Sequence, residues 1–486
     1  MIGYSKHYDA IVVGVGGMGS STCYQLARRG KRVLGIERFD IPHDLGSSHG
    51  YTRIIRLAYY EDPSYVMLLR RAFELWAEIE DRAHQKLFYQ TGSVDAGPAE
   101  SWVFKGSLQS CVDHGLTHEV LTGAEMSTRW PGYQLPFDIM GVFQPDGGFL
   151  VPERATVAFV EAAHSLGAEI HGREQVLDWE PRGDGVRVIT DRAEYEADSL
   201  VFAAGSWSHR MLPFLEGLSV PERQVLAWLQ PERPEYFTPE TFPVFNLLVD
   251  EGRFYGFPVY GVPGFKFGKY HHFEEVVNPD TYDREPDIED EEMLREFAAR
   301  YFPDGAGPTM SLKACMFINS PDNHFIIDLH PDYPQVSFAT GFSGHGYKFA
   351  SVIGEVMADL AERHSTRHEI SLFRLERFTG RLSALYEDRP IRRAAPGSGE
   401  GHLTRIATPR PATHAQRRRV PLPRRGLYHL HQRGRSIRRL DGIQRTRRTS
   451  RQIPGRYPAH RGDAGTYWDT TDPRYWDEGD VEPFWL

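Results

Sequence analysis

Only three cysteines occur in the 486 residues, Cys23, Cys111 and Cys315, at unrelated spacings. That scarcity excludes a disulfide-stapled scaffold and a cysteine-based zinc site, and it points to a reducing, cytoplasmic setting. Also missing is any uninterrupted apolar run long enough to span a bilayer, so no membrane association is expected. The N-terminus carries no charged-then-apolar secretory segment, because strand-like sequence starts within about ten residues of Met1. No internal repeat is visible, and no metal-ligand cluster is apparent. The composition, 40% hydrophobic and 25% charged, is that of an ordinary globular protein. Its length allows two domains plus extensions.

Lysine is absent from the last stretch of the chain. From Arg381 to Leu486 there are 22 arginines, no lysine and 11 acidic residues, so the preceding 380 residues carry −21 within a chain total of −10. Stretches such as Arg417–Arg419 and Ser436–Arg448 show no sustained apolar period, and disorder is the expectation for them. Binding of nucleic acid or an acidic partner is one reading of such a tail. No RNA-binding motif accompanies it, which makes nucleic acid an unlikely partner. An unselected extension, of the kind out-of-frame translation of GC-rich DNA produces, is the preferred reading.

What is present begins at Tyr8. The run Tyr8-Asp-Ala-Ile-Val-Val-Gly14 has the character of a buried parallel strand leading into a glycine loop. Ser20 to Arg29 follows with helical spacing, Gly30 closes it, and Lys31 to Glu37 reads as a second strand. In this strand–loop–helix–strand unit Gly14 permits the tight turn, Gly16 allows backbone to approach a pyrophosphate, and Gly19 lets the helix pack on the strand. Helix N-terminal amides then face the phosphates, and Glu37 is placed to accept hydrogen bonds from ribose hydroxyls. The pattern specifies a dinucleotide without separating FAD from NAD.

Further along, Thr156–Leu166 reads as a helix and Ser199–Ala204 as an apolar strand ending at Gly205. Residues 215–310 contain short alternating segments, many aromatics and turn signals, which suggests an antiparallel sheet in a second domain. A helix from Tyr347 to Arg363 carries Phe349, Ile353, Val356, Met357 and Leu360 on its apolar face.

Several separated segments decide between the dinucleotides. They are Gly46-Ser-Ser-His49-Gly50-Tyr-Thr52-Arg53-Ile-Ile-Arg56, Tyr255-Gly-Phe-Pro258, Lys266-Phe-Gly268, Ala314-Cys315-Met316, Pro321 to Asp328, and Gly341-Phe-Ser-Gly344-His345-Gly346-Tyr-Lys348-Phe349. In kind and order they resemble the monomeric sarcosine oxidase family, which includes N-methyltryptophan oxidase and is related to pipecolate and fructosyl-amino-acid oxidases. The resemblance covers about residues 5–378 and gives the tail no counterpart.

The resemblance implies an α/β fold: a Rossmann-type FAD-binding domain formed by 1–84, 150–214 and 311–378, with an inserted α+β substrate domain, 85–149 and 215–310, carrying a mostly antiparallel sheet. It leaves 379–486 as a disordered extension and implies a monomer. Cys315 is then the residue that carries FAD through a thioether to its 8α-methyl carbon. Arg56 and Lys348 become the substrate-carboxylate pair, and Thr52 and Arg53 lie close to the flavin. Lys266 becomes the lysine that assists oxygen reduction. Gly344 and Gly346 allow the following helix to approach the flavin with its positive end.

Two departures bear on substrate. The family has a tyrosine where this chain has Phe317, while Tyr255 keeps the other aromatic contact. In Lys266-Phe-Gly-Lys-Tyr270-His271-His272 the histidine spacing differs by about one residue, so either His271 or His272 is expected beside the substrate amine. The implied reaction is oxidation of a secondary-amine amino acid such as sarcosine by O2 to an imine, giving primary amine, formaldehyde and H2O2. N-methyltryptophan, pipecolate or a fructosyl amino acid are the alternative substrates. No metal is required.

Overall fold

In a computed structural model of the chain, residues 7–262 and 264–378 are described; the arginine-rich extension lies outside them. The first strand, His7–Val13, is buried from Ala10 onward because its apolar run has sheet neighbours on both sides and helices over its face. It pairs in parallel with Val33–Ile36 and with Glu194–Phe202. Val33–Ile36 pairs in turn with Glu169–His171. Glu194–Phe202 does two jobs. Its first half pairs antiparallel with Gly185–Thr190, and its last residues, Leu200–Phe202, pair in parallel with Val336–Phe338.

One face of this sheet is covered by helices Gly17–Arg28, Tyr65–Ala83, Pro152–Ser165 and Ala350–Arg363, which share a single apolar core. Ile353, Val356, Met357 and Leu360 of the last helix are fully buried, each contributing about 2 kcal/mol of transfer free energy. The opposite face packs against Leu212, Phe214, Leu215, Leu375 and Phe378. The sequence places the last helix from Tyr347, but Tyr347–Phe349 forms a 3₁₀ turn and the α-helix starts at Ala350.

The second sheet has eight strands in the spatial order Thr309–Asn319, Val220–Leu229, Phe265–Lys269, Gly252–Phe257, Val244–Val249, Ser93–Pro98, Ile139–Gln144 and Glu119–Thr122. All neighbours are antiparallel except Val244–Val249 with Ser93–Pro98. This mostly antiparallel sheet agrees with the α+β expectation. Its edge strand Thr309–Asn319, however, runs across the boundary expected at 310/311, because it pairs with Val220–Leu229 over ten positions. A phenylalanine-rich core lies beneath the sheet, with Phe254 stacked on Phe297 at 3.7 Å between ring centres. A small third sheet, Arg53–Ile55 with Gly148–Leu150 and Phe88–Gln90, lies beside the segment that carries both Arg53 and Arg56. No described helix is long and apolar enough to cross a membrane.

Candidate active site

The glycine loop shapes one end of a cavity of about 400 Å³. Gly14 has φ +91°, and a Cβ there would sit 2.5 Å from the Ala203 carbonyl oxygen. At Gly19 a Cβ would lie 1.8 Å from the Gly14 oxygen, so the helix reaches the strand end only without a side chain. Gly16, Gly17 and Met18, at the start of the helix, line the cavity. Glu37 lines it too, and its carboxylate accepts hydrogen bonds from the Val15 amide (2.9 Å) and the Phe39 amide (3.0 Å). Each oxygen keeps a lone pair for a ribose hydroxyl, and the amides hold the acid in register with the loop. A cradle of glycines, helix N-terminal amides and one buried acid fits the ADP half of FAD.

At the other end of the cavity stand Arg53, Cys315, Gly344 and Gly346. Arg53 Nη1 donates to the Thr52 carbonyl and Nη2 to the Ser47 carbonyl, both at 2.9 Å; Nη2 also lies 3.8 Å from Cys315 Sγ. Cys315 is buried on the edge strand, packed against Leu226 and Trp228. Lys266, 2% exposed, donates to the Gly50 carbonyl (2.6 Å), the Thr52 carbonyl (2.8 Å) and Thr52 Oγ1 (3.0 Å). Burial, with Arg53 nearby, pushes this amine well below the usual lysine range. The three acceptors nevertheless match the three N–H donors of an ammonium, whereas a neutral amine has two. We therefore read Lys266 as charged. Phe317 lies over Gly344, where a Cβ would meet its ring at 2.4 Å.

A second cavity is lined by Glu61, Arg253, Tyr270 and His345 among others. Arg56 lies beside it, 1% exposed, with its guanidinium 4.5 Å from the Tyr59 ring centre and 4.0 Å from that of Tyr60. The expected carboxylate ligand is already engaged. Arg56 Nη2 donates to Glu61 at 2.9 Å, Nε lies 3.4 Å from Asp95, and Nη1 donates to the Ala58 carbonyl. Asp95 also accepts from Asn246 (2.6 Å) and Ser107 (2.9 Å). Burial opposes ionisation of Glu61, but Arg56 outweighs it and holds the carboxyl at about 2. Lys348 donates to the His345 carbonyl at 2.7 Å, and its amine lies 5.3 Å from the Tyr59 ring centre. Burial first, and the neighbouring Arg56 second, bring Lys348 down to about 7. Arg56 and Lys348 thus both stand against the ring of one tyrosine.

His345 is fixed between the Tyr59 hydroxyl (2.6 Å to Nδ1) and the Asn323 carbonyl (2.9 Å to Nε2). Only a donor can face a carbonyl, so Nε2 carries the proton and Nδ1 accepts from the tyrosine. Burial pushes this imidazole down to about 3, which keeps it neutral.

Both histidines, either of which is expected beside the amine, line the second cavity. His271 turns to Glu222 at 3.1 Å, and His272 is buried on Asp290 at 2.7 Å, where Arg223 also binds. Tyr270 of the same stretch meets the aromatic wall, 4.9 Å from Tyr255 and 5.7 Å from Phe317 between ring centres, and His271 stands 6.5 Å from Phe317. Tyr270 follows the strand Phe265–Lys269, and the chain then turns through His271 at φ +56°. Sequence reasoning also missed Glu61, Asp95, Tyr59, Tyr60 and Arg253. One local signal was available: Asp95 is a lone acid inside a short strand buried along almost its whole length, a position that demands a partner.

The family pattern described as FAD dependent oxidoreductase matches residues 9–360. The chain is 40% identical over 379 residues to monomeric sarcosine oxidase from Bacillus sp. (strain B-0618), covering 77% of this chain and 97% of that protein. It is 35% identical over 376 residues to N-methyl-L-tryptophan oxidase from Citrobacter koseri, covering 76% and 99%. Among solved structures, the open form of NikD, an amino acid oxidase of nikkomycin biosynthesis, is similar with a TM-score of 0.67 at 26% identity, covering 76% of this chain and 98% of that one. The chain belongs to the FAD-dependent oxidoreductase family, among the sarcosine and N-methyltryptophan oxidases.

Proposed function

We propose that the protein oxidises a secondary-amine amino acid with O2, and that its own cations hold the substrate carboxylate. The observation that carries this reading is the Arg56–Lys348 pair beside Tyr59, supplied by the same segments, Thr52–Arg56 and Gly344–Lys348, that border the cofactor cavity. A guanidinium gives a carboxylate two parallel hydrogen bonds, and in a buried pocket such bonds are worth more than at a surface. The incoming carboxylate takes over N–H donors that Glu61 now occupies.

The amine reacts neutral, because its lone pair must be free as the adjacent C–H bond breaks. Cations packed around the pocket favour that form. FAD, when bound, supplies the acceptor for the two electrons and the hydrogen. The resulting imine takes up water and gives the primary amine and an aldehyde, formaldehyde from an N-methyl group. O2 accepts the two electrons and leaves with two protons as H2O2. Lys266, held charged by Gly50 and Thr52, stabilises the negative charge that develops as O2 is reduced.

Cys315 carries the flavin in this proposal. Its sulfur bonds to the 8α-carbon, and the two electrons and two protons released overall leave with O2 as H2O2. The FAD-binding and substrate parts divide as the sequence suggests, with the strand Thr309–Asn319 transferred to the substrate part. The enzyme acts as a monomer in a reducing compartment.

The reading is tested by a peroxide-coupled screen of N-methyl, cyclic and fructosyl amino acids on the purified yellow protein. Peroxide and formaldehyde in equal amounts from an N-methyl amino acid, at least 100-fold faster than peroxide from the parent primary amine, is the expected result. A yellow protein that turns over no secondary amine would overturn it.

A further inference from the structure

Arg253 is a cation without an assigned partner at the mouth of the substrate pocket. On the strand Gly252–Phe257 alternate residues face opposite sides. Phe254 points into the phenylalanine core, whereas Arg253, on the other face with Tyr255, lines the pocket. The Arg253 guanidinium lies 3.6 Å from the Tyr270 ring centre, 4.9 Å from that of Trp102 and 5.6 Å from that of Tyr60. Three rings therefore hold it by their faces, a geometry that orients a guanidinium and leaves its N–H edges free. It forms no side-chain hydrogen bond or ion pair with any described residue. Arg56, by contrast, is bound by two carboxylates.

The charge of Glu61 reaches Arg253 through space, but no described acid at the same mouth forms an ion pair with it. Glu251 is taken up by Arg300 and Tyr301, Asp322 by Arg377, and Glu61 by Arg56. Asp250 and Glu274 are exposed to solvent. Arg253 and Arg56 both lie against the Tyr60 ring, at 5.6 and 4.0 Å from its centre, so they are no further apart than the sum of those distances. That upper bound keeps both cations within reach of a short carbon skeleton with an acidic group at each end. Tyr270, standing where the resemblance leads one to expect a histidine, supplies the platform.

We propose that Arg253 is a second anion subsite, which makes the preferred substrates N-alkyl amino acids with an acidic side chain, such as N-methylglutamate or N-methylaspartate. The first carboxylate binds Arg56 and Lys348, and the side-chain carboxylate binds the free edge of Arg253. This rests on the oxidase reading for the reaction but not for the binding, and the two are tested separately.

Glutarate and butyrate, which cannot be oxidised, are titrated into the FAD-loaded enzyme by calorimetry. Glutarate is expected to bind at least tenfold more tightly than butyrate, and Arg253→Met to reduce that ratio below twofold, with Arg253→Lys intermediate. In turnover, Arg253→Met should lower kcat/KM for N-methylglutamate at least tenfold more than for sarcosine. Equal affinities in the wild type, or an equal loss for both ligands in Arg253→Met, would overturn the subsite. Retention of the glutarate preference with no turnover of any secondary amine would support the subsite and overturn the oxidase reading instead.

Discussion

The cofactor cavity and the substrate pocket are built from different materials. Around the glycine loop the recognising groups are backbone amides, and the side chains matter mainly by their absence: Gly14 and Gly19 leave room that a single Cβ would fill. In the proposed substrate pocket the groups assigned to recognition are long charged side chains, Arg56, Lys348 and Arg253, held by tyrosine rings and buried acids. The first construction has a fixed shape and fixed partial charges. The second has charges that can be re-paired, and some of them titrate. Substitutions should therefore fail in different ways on the two sides.

The largest effect is expected at the loop. Gly19→Val places a Cβ about where the Gly14 oxygen now is, and the helix must move off the strand. The protein is expected to purify without flavin absorbance and to be destabilised by more than about 3 kcal/mol, as overpacking against backbone does. Cys315→Ala makes the contrast within the same cavity. It keeps the cradle, so the protein should stay yellow, but acid precipitation should release the flavin and in-gel fluorescence should vanish. Flavin released by acid from the wild type would remove the thioether from the proposal.

A smaller and more selective loss is expected in the pocket. Arg56→Ala should raise KM for the substrate by about 100-fold, the loss of a buried bidentate pair, while flavin content is unchanged. Lys266→Met should slow reoxidation by O2 by tenfold or more and leave anaerobic flavin reduction within about threefold. Stopped-flow measurement of both half-reactions checks this. An unchanged KM in the first variant, or equal slowing of both steps in the second, would break the division of labour between the two cations.

This difference in construction also explains what could be read from the sequence. The cradle is contiguous. Gly14, Gly16, Gly19 and Glu37 lie within one strand–loop–helix–strand unit, and each has a backbone reason to be where it is. The second sheet was legible as a class because alternation and turn residues are local signals. Its edge was not, since the pairing of Thr309–Asn319 with Val220–Leu229 joins segments about 90 residues apart. Arg56 and Lys348 were found by resemblance to a family, whereas Glu61 and Asp95 escaped because an ion pair across the fold leaves no spacing in the chain. Which histidine faces the pocket was not legible for a physical reason: one left-handed residue, His271, ends the strand register, and Tyr270 stands against the aromatic wall beside both.

The subtlest contrast is with pH, and its sign follows from Lys348. Burial and Arg56 bring its amine to about 7 from an ordinary value near 10.5, while Glu61 at about 2 stays ionised throughout the neutral range. Lys348 is therefore charged below pH 7 and neutral above it, and the pocket loses one positive charge as pH rises. A carboxylate without an amine isolates this change, because a real substrate loses its own ammonium proton over the alkaline range and improves as a reactant there. Butyrate should bind the FAD-loaded enzyme several-fold more weakly at pH 9 than at pH 6, and Lys348→Met should flatten that dependence to the level set by Arg56 alone. FAD content should not change over the same range, since the backbone amides that cradle it carry no titrating proton there. The folded state carries the opposite mark of the same shift. Between pH 7 and 10.5 the unfolded chain binds a proton at Lys348 that the folded chain refuses, so on this group's account stability rises with pH in that window. If butyrate affinity were equally flat in wild type and Lys348→Met, Lys348 would hold a constant charge and the contrast between a titrating pocket and a fixed cradle would fail.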